Sequence, residues 1–232
     1  MDVPLYESLD GQVVLVTGAT RGIGKAIADG LVELDATVYA GARDTDDIDA
    51  ADRRAVELDV TDDDAMVDAV DRIEREQGRL DVLVNNAGVM DSREPLDEMP
   101  TDVIDHTLGT NLRGAVLMTK YALPLLLAEE GGRVVTMSSG LGAISESQSG
   151  GTPAYRISKT GVNGLTKYLD GEYATDGLIA NSVCPGYVQT DMTEGSAPRT
   201  PEKGAETPVW LARFRSDAPS GRFWRDKADI EW

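Results

Sequence analysis

The stretch Val13–Gly24 reads VVLVTGATRGIG, an apolar run that passes directly into a glycine-rich turn. Val13–Thr17 has the β-branched, uninterrupted apolar character of a strand that is covered on both faces. Gly18, Gly22 and Gly24 permit a tight turn, a close backbone approach to a pyrophosphate, and close packing of a helix on the strand. The free N–H groups of that helix would face the phosphate. The spacing is Gly-x3-Gly-x-Gly rather than Gly-x-Gly-x-x-Gly, but its place between a strand and a helix predicts a dinucleotide site.

Outward from this turn, short runs rich in Val and Ile alternate with longer amphipathic stretches. Further strands are predicted at Thr37–Ala42, Val82–Asn85, Arg133–Met137 and Ile179–Cys184. Helices are predicted at Gly22–Leu34, Ala65–Gln77, Thr101–Leu127 and Tyr155–Ala174, with Thr61 capping the second. This alternation predicts an α/β fold, a single-domain doubly wound Rossmann fold whose central parallel sheet of about seven strands carries helices on both faces. Ligands of such folds bind outside the carboxyl ends of the strands.

The charge of the chain excludes some partners. Its 232 residues include 41 acidic and 22 basic ones, a net charge of −19, which would repel the phosphates of nucleic acid. No apolar run approaches the roughly 18 residues of a membrane span, and the opening MDVPLYESLDGQ lacks the features of a secretory signal. The single cysteine, Cys184, excludes an internal disulfide and indicates a reducing cytoplasm. With one cysteine and one histidine, no metal site is expected.

The proportions of the charged residue types bear on the environment to which the protein is adapted. The acidic residues are 26 Asp and 15 Glu, and the basic residues are 16 Arg and only 6 Lys. An excess of Asp with few Lys resembles the proteins of halophilic archaea, and an ordinary acidic cytosolic protein is the alternative. This feature concerns solubility rather than the fold.

Five further motifs follow the glycine turn. They are Asn85–Gly88 at the end of the strand Val82–Asn85, Asn111–Gly114, the pair Ser138-Ser139 after a strand, Tyr155–Lys159 at the start of a helix, and Pro185–Thr190. In this order, the motifs closely resemble those of the short-chain dehydrogenase/reductase family. The resemblance covers residues 10–192. Residues 193–232 would form a short substrate lid, a last helix at Pro201–Ala212 and a last strand within Gly221–Trp232, all in one domain of residues 1–232.

Tyr155 and Lys159 lie four residues apart on a predicted helix, so their side chains share one face. A phenol of ordinary pKa about 10 exchanges protons poorly at neutral pH unless a cation stabilises its anion. The resemblance implies that Tyr155 is the general acid in carbonyl reduction and the general base in alcohol oxidation. It implies that Lys159 lowers the pKa of Tyr155 and holds the nicotinamide ribose. Ser139 would hydrogen-bond the substrate oxygen, with Ser138 as the rival candidate. Asn111 would distort its helix and hold a water that links Lys159 to solvent.

The resemblance also implies a set of residues that bind the nicotinamide cofactor. They are Gly18, Thr20, Arg21, Gly22, Ile23, Gly24, Arg43, Asp59, Val60, Asn85, Ala87, Gly88, Tyr155, Lys159, Pro185, Gly186, Val188 and Thr190. Asp59 would grip the adenine, unless it is only an acid preceding a helix. Asn85 would line the cofactor and also stabilise the sheet. Val188 and Thr190 would hold the nicotinamide carboxamide.

The end of the second strand predicts a preference for NADP(H) over NAD(H). An NAD-specific site places a carboxylate there, which binds the ribose 2′-hydroxyl and repels a 2′-phosphate. In this chain the acidic position of the family falls on Ala42, and Arg43 beside it can pair a phosphate through two hydrogen bonds. Arg21 in the glycine turn lies where NADP-dependent relatives also carry a basic residue. The alternative is that both arginines only balance the acidic surface and that Asp44 takes the ribose.

The resemblance implies hydride transfer between nicotinamide and the carbonyl or secondary alcohol of a small molecule, most like the carbonyl-reductase branch. A 3-oxoacyl-carrier-protein reductase and a sugar or polyol dehydrogenase are alternatives, and a dinucleotide-sensing regulator is an alternative of another class. Ser139 and Tyr155 are 16 residues apart, more than is common in the family, and the extra length falls in Glu146–Thr152. His106 is expected to be solvated. Both a homo-oligomer and a monomer remain open.

Overall fold

The computed structural model describes residues 3–46, 48, 52–146 and 148–232. The strands are β1 Val13–Thr17, β2 Thr37–Ala42, β3 Arg54–Glu57, β4 Val82–Asn85, β5 Arg133–Met137, β6 Ile179–Val183, β7 Arg222–Arg225 and β8 Ala228–Ile230. They form one eight-stranded sheet in the order β3-β2-β1-β4-β5-β6-β7-β8. The first seven are parallel, and β8 pairs with β7 in antiparallel fashion. The predicted doubly wound sheet is confirmed, with an added hairpin at one edge.

Helices cover both faces of this sheet. They are α1 Gly22–Val32, α2 Asp63–Gln77, α3 Thr101–Leu108, α4 Gly114–Leu126, α5 Pro153–Tyr173 and α6 Pro201–Ala212. Because successive strand residues point to opposite faces, Val14 and Val16 join the core under α1 and α6, whereas Val13 and Leu15 join the core under α2, α4 and α5. The strand that leads into the glycine turn is therefore buried on both sides, as its apolar run predicts.

The order of the strands reverses at β1. The chain runs from β1 outward through β2 to β3 and then returns to β4 on the other side of β1. In open α/β sheets such a reversal leaves a crevice at the carboxyl ends of the strands, where ligands bind. The residues that follow β1 and β4 therefore face each other across this crevice.

Two details of the helices correct the sequence analysis. The predicted helix Thr101–Leu127 is two α-helices joined by a π-helical turn at Gly109–Arg113. The second helix is capped by Asp62 and not by Thr61, because an Asp62 carboxylate oxygen accepts hydrogen bonds from the backbone N–H groups of residues 64 and 65. The Thr61 hydroxyl instead donates to the Asp59 carboxylate, with an oxygen–oxygen distance of 2.7 Å.

Neither a membrane-spanning helix nor a cluster of metal-binding side chains is found among the residues described above. None of their helices combines the length and the apolar content that crossing a bilayer requires. None of their His, Cys, Asp and Glu side chains form a group of three or more that could hold a metal ion.

Candidate active site

A cavity of about 750 Å³ opens at the carboxyl ends of the central strands. Its size falls within the range of ordinary ligand pockets, roughly 300–1,000 Å³. Of the predicted cofactor-binding residues, the cavity is lined by Gly18, Thr20, Arg21, Gly22, Ile23, Gly24, Arg43, Asp59, Val60, Ala87, Gly88, Tyr155, Lys159, Pro185 and Thr190. These residues come from six separate stretches of the chain, so the fold brings together most of the predicted cofactor set.

The glycine turn forms one wall of the cavity and requires glycine at each position. Gly18 and Gly22 have φ angles of +65° and +55°, which L side chains rarely adopt. A Cβ atom on Gly24 would lie 2.1 Å from the Gly18 carbonyl oxygen, so any side chain there would force the turn and α1 apart. The turn therefore exposes backbone at the start of α1, as the binding of a pyrophosphate needs.

Asn86, which the sequence analysis did not single out, holds this turn in place. Its side-chain amide donates to the carbonyl oxygens of Thr17 and Gly18, at 2.8 and 3.0 Å. The Thr17 hydroxyl in turn accepts from the backbone N–H groups of Asn86 and Ala87, at 3.0 and 2.9 Å. The two chain segments that follow β1 and β4 are thus locked together at the floor of the cavity.

Three of the predicted cofactor residues lie elsewhere. The Asn85 side chain is buried and donates to the Thr119 hydroxyl of α4 at 2.9 Å, so it joins the sheet to a helix instead of lining the cavity. Val188 is buried, and its side chain packs where a Cβ on a glycine of α6 would be. Gly186 has a φ angle of +82° and is covered by the Arg199 guanidinium.

Thr110 gives independent support for a dinucleotide in this cavity. Thr110 lines the cavity and is buried, and its hydroxyl has no hydrogen-bond partner within the described part of the chain. A buried hydroxyl without a partner is costly, so a polar ligand in the cavity would satisfy it. This donor, the glycine cradle and the Arg43 cation suit a long polar anion such as a nicotinamide dinucleotide.

Tyr155 and Lys159 line one end of the cavity together with Ser138. Ser139 lies next to this end, and its hydroxyl is close enough to the Tyr155 phenol to lower the pKa of that group. The Lys159 ammonium donates to the Met137 carbonyl oxygen at 2.7 Å and lies 5.6 Å from the centre of the Tyr155 ring. The rival Ser138 is buried, and its hydroxyl donates to the Lys159 carbonyl oxygen at 3.2 Å. Of the two serines, Ser139 is the one that affects the Tyr155 phenol, whereas Ser138 is the one that lines the cavity.

Burial dominates the titration of this pair. Burial raises the pKa of Tyr155 to about 12, although the hydrogen bond from Ser139 lowers it in part. Burial also lowers the pKa of Lys159 to about 8. The resemblance implies a lowered Tyr155 pKa, whereas the polypeptide by itself favours the neutral phenol. A protonated phenol is the form that donates a proton.

Asn111 lies within the π-helical turn, where the expected helix distortion is found. Its side-chain oxygen accepts from the Val89 N–H at 2.7 Å, and its amide donates to the Val89 carbonyl oxygen and to the Ser158 hydroxyl, at 2.8 and 3.1 Å. A Cβ atom on Gly88 would lie 3.3 Å from the Asn111 oxygen and 3.5 Å from the Lys159 nitrogen. Asn111 and Lys159 therefore face each other across a residue that has no side chain.

The opposite end of the cavity carries Arg43. It is exposed, and no hydrogen bond or ion pair joins it to another residue in the described ranges. Burial raises the pKa of Asp59, but hydrogen bonds from Thr61 and the charge of Arg43 outweigh this, and the net pKa is lowered. The Asp44 carboxylate accepts from the Asp46 N–H at 3.0 Å, within its own loop. Arg21 pairs with the exposed Asp191 at 3.1 Å.

His106 lines the cavity near this end, and its ring contacts the Asp91 carboxylate at 2.6 Å. It is half exposed, with 51% of its side chain accessible, in line with the expectation that it is solvated. Its position on the cavity wall was not predicted, because one histidine in a helix carries no spacing signal.

The longer loop before Tyr155 folds back on its own helix. The Arg156 guanidinium donates to the carbonyl oxygens of Gly151 and Ser149, at 2.8 and 2.5 Å. Gly151 packs against the Arg93 carbonyl group, 2.2 Å from where its Cβ would be. The Arg93 guanidinium reaches the Met192 carbonyl oxygen at 3.3 Å, so one residue connects both loops around the cavity mouth.

This sheet, glycine turn and Ser–Tyr–Lys grouping define an oxidoreductase of the Rossmann type that binds a nicotinamide dinucleotide. The chain belongs to the short-chain dehydrogenase/reductase family, since the family model described as short chain dehydrogenase matches residues 12–200.

Similar proteins agree with this membership. A 3-oxoacyl-acyl-carrier-protein reductase of Thermotoga maritima is 35% identical over 93% of this chain and 85% of its own length. A cis-4-hydroxycyclohexanecarboxylate dehydrogenase of Sinomonas cyclohexanicum is 38% identical over 82% of this chain and 78% of its own. The crystal structure of a short chain dehydrogenase from Burkholderia cenocepacia in complex with NADP superposes with a TM-score of 0.82, at 30% identity, over 93% of this chain and 96% of that one. The protein is an enzyme acting on CH–OH or C=O groups of a small-molecule substrate.

Proposed function

We propose that this oxidoreductase transfers hydride between NADP(H) and a carbonyl or secondary alcohol, with the Tyr155 hydroxyl exchanging the proton at the substrate oxygen. The observation that carries the proposal is the placement of Tyr155 and Lys159, 5.6 Å apart from ring centre to nitrogen, at one end of a cavity with a glycine cradle, with Ser139 next to Tyr155. When bound, the nicotinamide supplies or accepts the hydride. The polypeptide orients the substrate and handles the proton.

Each polar group has a distinct part in this proposal. In reduction the Tyr155 hydroxyl donates its proton to the substrate oxygen, while the Ser139 hydroxyl donates a hydrogen bond that stabilises charge on that oxygen. The neutral phenol that burial favours is the required starting form. In oxidation Tyr155 accepts the proton, and the charge of Lys159 stabilises its anion. Asn111, which faces Lys159 across Gly88, holds a water that returns the proton to solvent.

The Tyr155→Phe variant tests this assignment, because it removes the hydroxyl and keeps the ring. We expect kcat to fall by about 10² to 10⁴, the usual range for a lost general acid, with the Kd for NADPH changed less than about twofold. Absorbance of the reduced nicotinamide gives the rate, and fluorescence of NADPH gives the Kd. Tyr168→Phe, at an exposed position of the same helix, is the matched control. Wild-type turnover by Tyr155→Phe would contradict the proposal.

The preference for NADP(H) rests on the Arg43 end of the cavity. Ala42 provides no carboxylate to repel a 2′-phosphate, and Arg43 has no carboxylate partner in the described ranges. Asp44, the alternative hydrogen-bond partner of the ribose, already accepts a hydrogen bond inside its own loop. Arg21 lines the same cavity and would contribute a second cation, although its guanidinium pairs with Asp191. These observations favour Arg43 as the principal phosphate ligand.

The proposed substrate class is that of the carbonyl-reductase branch, small aldehydes and ketones. A 3-oxoacyl-carrier-protein substrate is the second candidate, favoured by the 35% identity to the Thermotoga maritima reductase over 93% of the chain. Comparing kcat/KM for free ketones and for an acetoacetyl-loaded carrier protein separates the two. A sugar or polyol dehydrogenase would show activity with alditols, and a dinucleotide sensor would bind NADPH without turnover of any substrate.

Further features of the protein stay proposals drawn from its sequence. We propose one domain, with residues 10–192 as its core and residues 193–232 as lid, last helix and last strand. We propose adaptation to high salt and a halophilic archaeal origin from the Asp-rich, Lys-poor composition. A reducing, cytoplasmic location rests on the single cysteine. Light scattering would decide between a homo-oligomer and a monomer.

A further inference from the structure

Ser139 stands at the start of a short 3₁₀ turn, Gly140–Gly142, that is anchored to α5 on one side. The Ser139 hydroxyl accepts from the Leu141 N–H at 3.2 Å. The Gly142 carbonyl oxygen accepts from the hydroxyl of Thr160 and the amide of Asn163, at 3.0 and 3.2 Å. These bonds fix the far end of the turn, two and three residues after Ser139, and leave the peptide directly after Ser139 to other partners.

That peptide is held from the opposite side, by the strands β6 and β7. The Gly140 N–H donates to the Cys184 sulfur at 3.2 Å, just after β6 ends. The Arg225 guanidinium, at the end of β7, lies against the backbone of the same Gly140 residue. Its terminal nitrogen donates to a Glu146 carboxylate oxygen at 2.9 Å. Arg225 therefore joins the Gly140 backbone to the loop that precedes the Tyr155 helix.

The contact between Arg225 and the turn is close. A Cβ atom on Gly140 would lie 2.5 Å from an Arg225 nitrogen and 3.0 Å from a Glu146 oxygen, so the ion pair lies directly against the Gly140 backbone. The Arg225 side chain is mostly covered, with 32% of its surface accessible. Arg222, on the same strand, forms an ion pair with Asp229 instead, and 55% of its side chain is accessible. Of these two ion pairs, the one between Arg225 and Glu146 lies against the turn that follows Ser139.

We propose that Arg225, paired with Glu146 and packed against Gly140, is a positioning residue that holds the Gly140 peptide so that the Ser139 hydroxyl meets the Tyr155 phenol. The inference rests on the proposed catalytic role of Ser139 and adds the residues that orient it. Misplacing a reacting group by about 1 Å costs up to about 10²-fold in rate, so a clamp one residue away from Ser139 has a measurable effect. Among the described residues, Arg225 is not one of those that line the cavity with the cofactor cradle.

The test is a double-mutant cycle between Arg225→Met and Ser139→Ala. Methionine keeps the length of the side chain and removes its hydrogen bonds. We expect Arg225→Met to lower kcat by about tenfold, with KM and Kd for NADPH changed less than about twofold, and Arg225→Lys to recover part of the loss. In the Ser139→Ala background the same substitution should have no further effect, because the group it orients is gone. Arg222→Met on the same strand is the matched control and should match the wild type.

Three outcomes would overturn the inference: wild-type kcat in Arg225→Met, an equal loss in Arg222→Met, or a full additional loss in the Ser139→Ala background. If Arg225→Met does not fold, as judged by circular dichroism, Cys184→Ala takes its place in the cycle, since it removes the sulfur that accepts the Gly140 N–H and so loosens the same peptide. Failure of the proposed function would look different. In that case Ser139→Ala and Tyr155→Phe themselves would retain wild-type turnover.

Discussion

At the scale of single residues, Arg43 combines two properties that rarely coincide in so acidic a chain. With 41 acidic and 22 basic residues, carboxylates are abundant, yet Arg43 has no ion pair within the described ranges and lines the cavity. We expect Arg43→Ala to lower kcat/KM with NADPH at least about tenfold, roughly 1.4 kcal/mol, and with NADH less than about threefold. Measurements at one fixed salt concentration check this. Arg75→Ala, at an exposed position of α2, is the control for the loss of a positive charge. Equal losses with both cofactors would exclude the phosphate role.

Lys159 supplies a second test at this scale, through the pH dependence of stability. Burial lowers its pKa to about 8 in the folded protein, against the ordinary value of 10.5. Between these values the unfolded chain binds the proton and the folded chain does not, so this residue makes the free energy of unfolding rise with pH. We expect the wild type to gain on the order of 3 kcal/mol relative to Lys159→Met from pH 7.5 to 10. Urea unfolding measures the difference, with Lys25→Met as the exposed control. If the free energies of unfolding of the wild type and of Lys159→Met change with pH in parallel, burial does not lower the pKa of Lys159.

At the scale of elements, the strands follow from local pattern, but the interruptions of the helices do not. The bounds of β1, β2, β4 and β5 are those the apolar runs predict. The π-helical turn at Gly109–Arg113 depends on Asn111 bonding to Val89, which is 22 positions away, and hydrophobic periodicity does not register one inserted residue. The resemblance, by contrast, implied that Asn111 would distort its helix. The hairpin to β8 turns on Asp226 and Lys227, both with positive φ, where glycine or asparagine is the usual signal.

The residues of the candidate site likewise fall into two groups, those that the local sequence predicts and those that depend on contacts between distant segments. The glycine turn, Tyr155 and Lys159 follow from spacing and resemblance, because each lies on one element whose geometry is local. Asn85 was placed among the cofactor residues and Asn86 was missed, since adjacent residues at a strand end face opposite ways and the sequence does not say which side holds the cavity. Contacts such as that of Arg225 with Glu146 join β7 to a distant loop and have no signal in the sequence of either segment.

The glycine turn gives a test at the scale of elements by comparison with another helical glycine. A Cβ on Gly24 would lie 2.1 Å from the Gly18 carbonyl oxygen, whereas a Cβ on Gly164 in α5 would meet nothing within 4 Å. We expect Gly24→Ala to abolish NADPH binding and lower Tm, because backbone must move at both ends of the turn. Gly164→Ala should stabilise by about 0.5–1 kcal/mol through helix propensity. Thermal melts and NADPH titrations compare the two. Normal NADPH affinity in Gly24→Ala would mean that the cradle is not the phosphate site.

At the scale of the whole molecule, the net charge of −19 predicts how stability responds to salt. Repulsion between exposed charges acts over roughly 30 Å at 0.01 M salt and only about 3 Å at 1 M. We therefore expect Tm to rise from dilute buffer into molar KCl. The exposed stripe Asp64, Asp68 and Asp71 on α2 allows a matched variant, since like charges at these spacings repel each other. Asp68→Lys should raise Tm at 0.01 M KCl and much less at 1 M, where screening has already removed the repulsion. If the wild-type Tm stays flat or falls as KCl is added, repulsion between these charges does not govern stability, and the proposed adaptation to high salt is wrong.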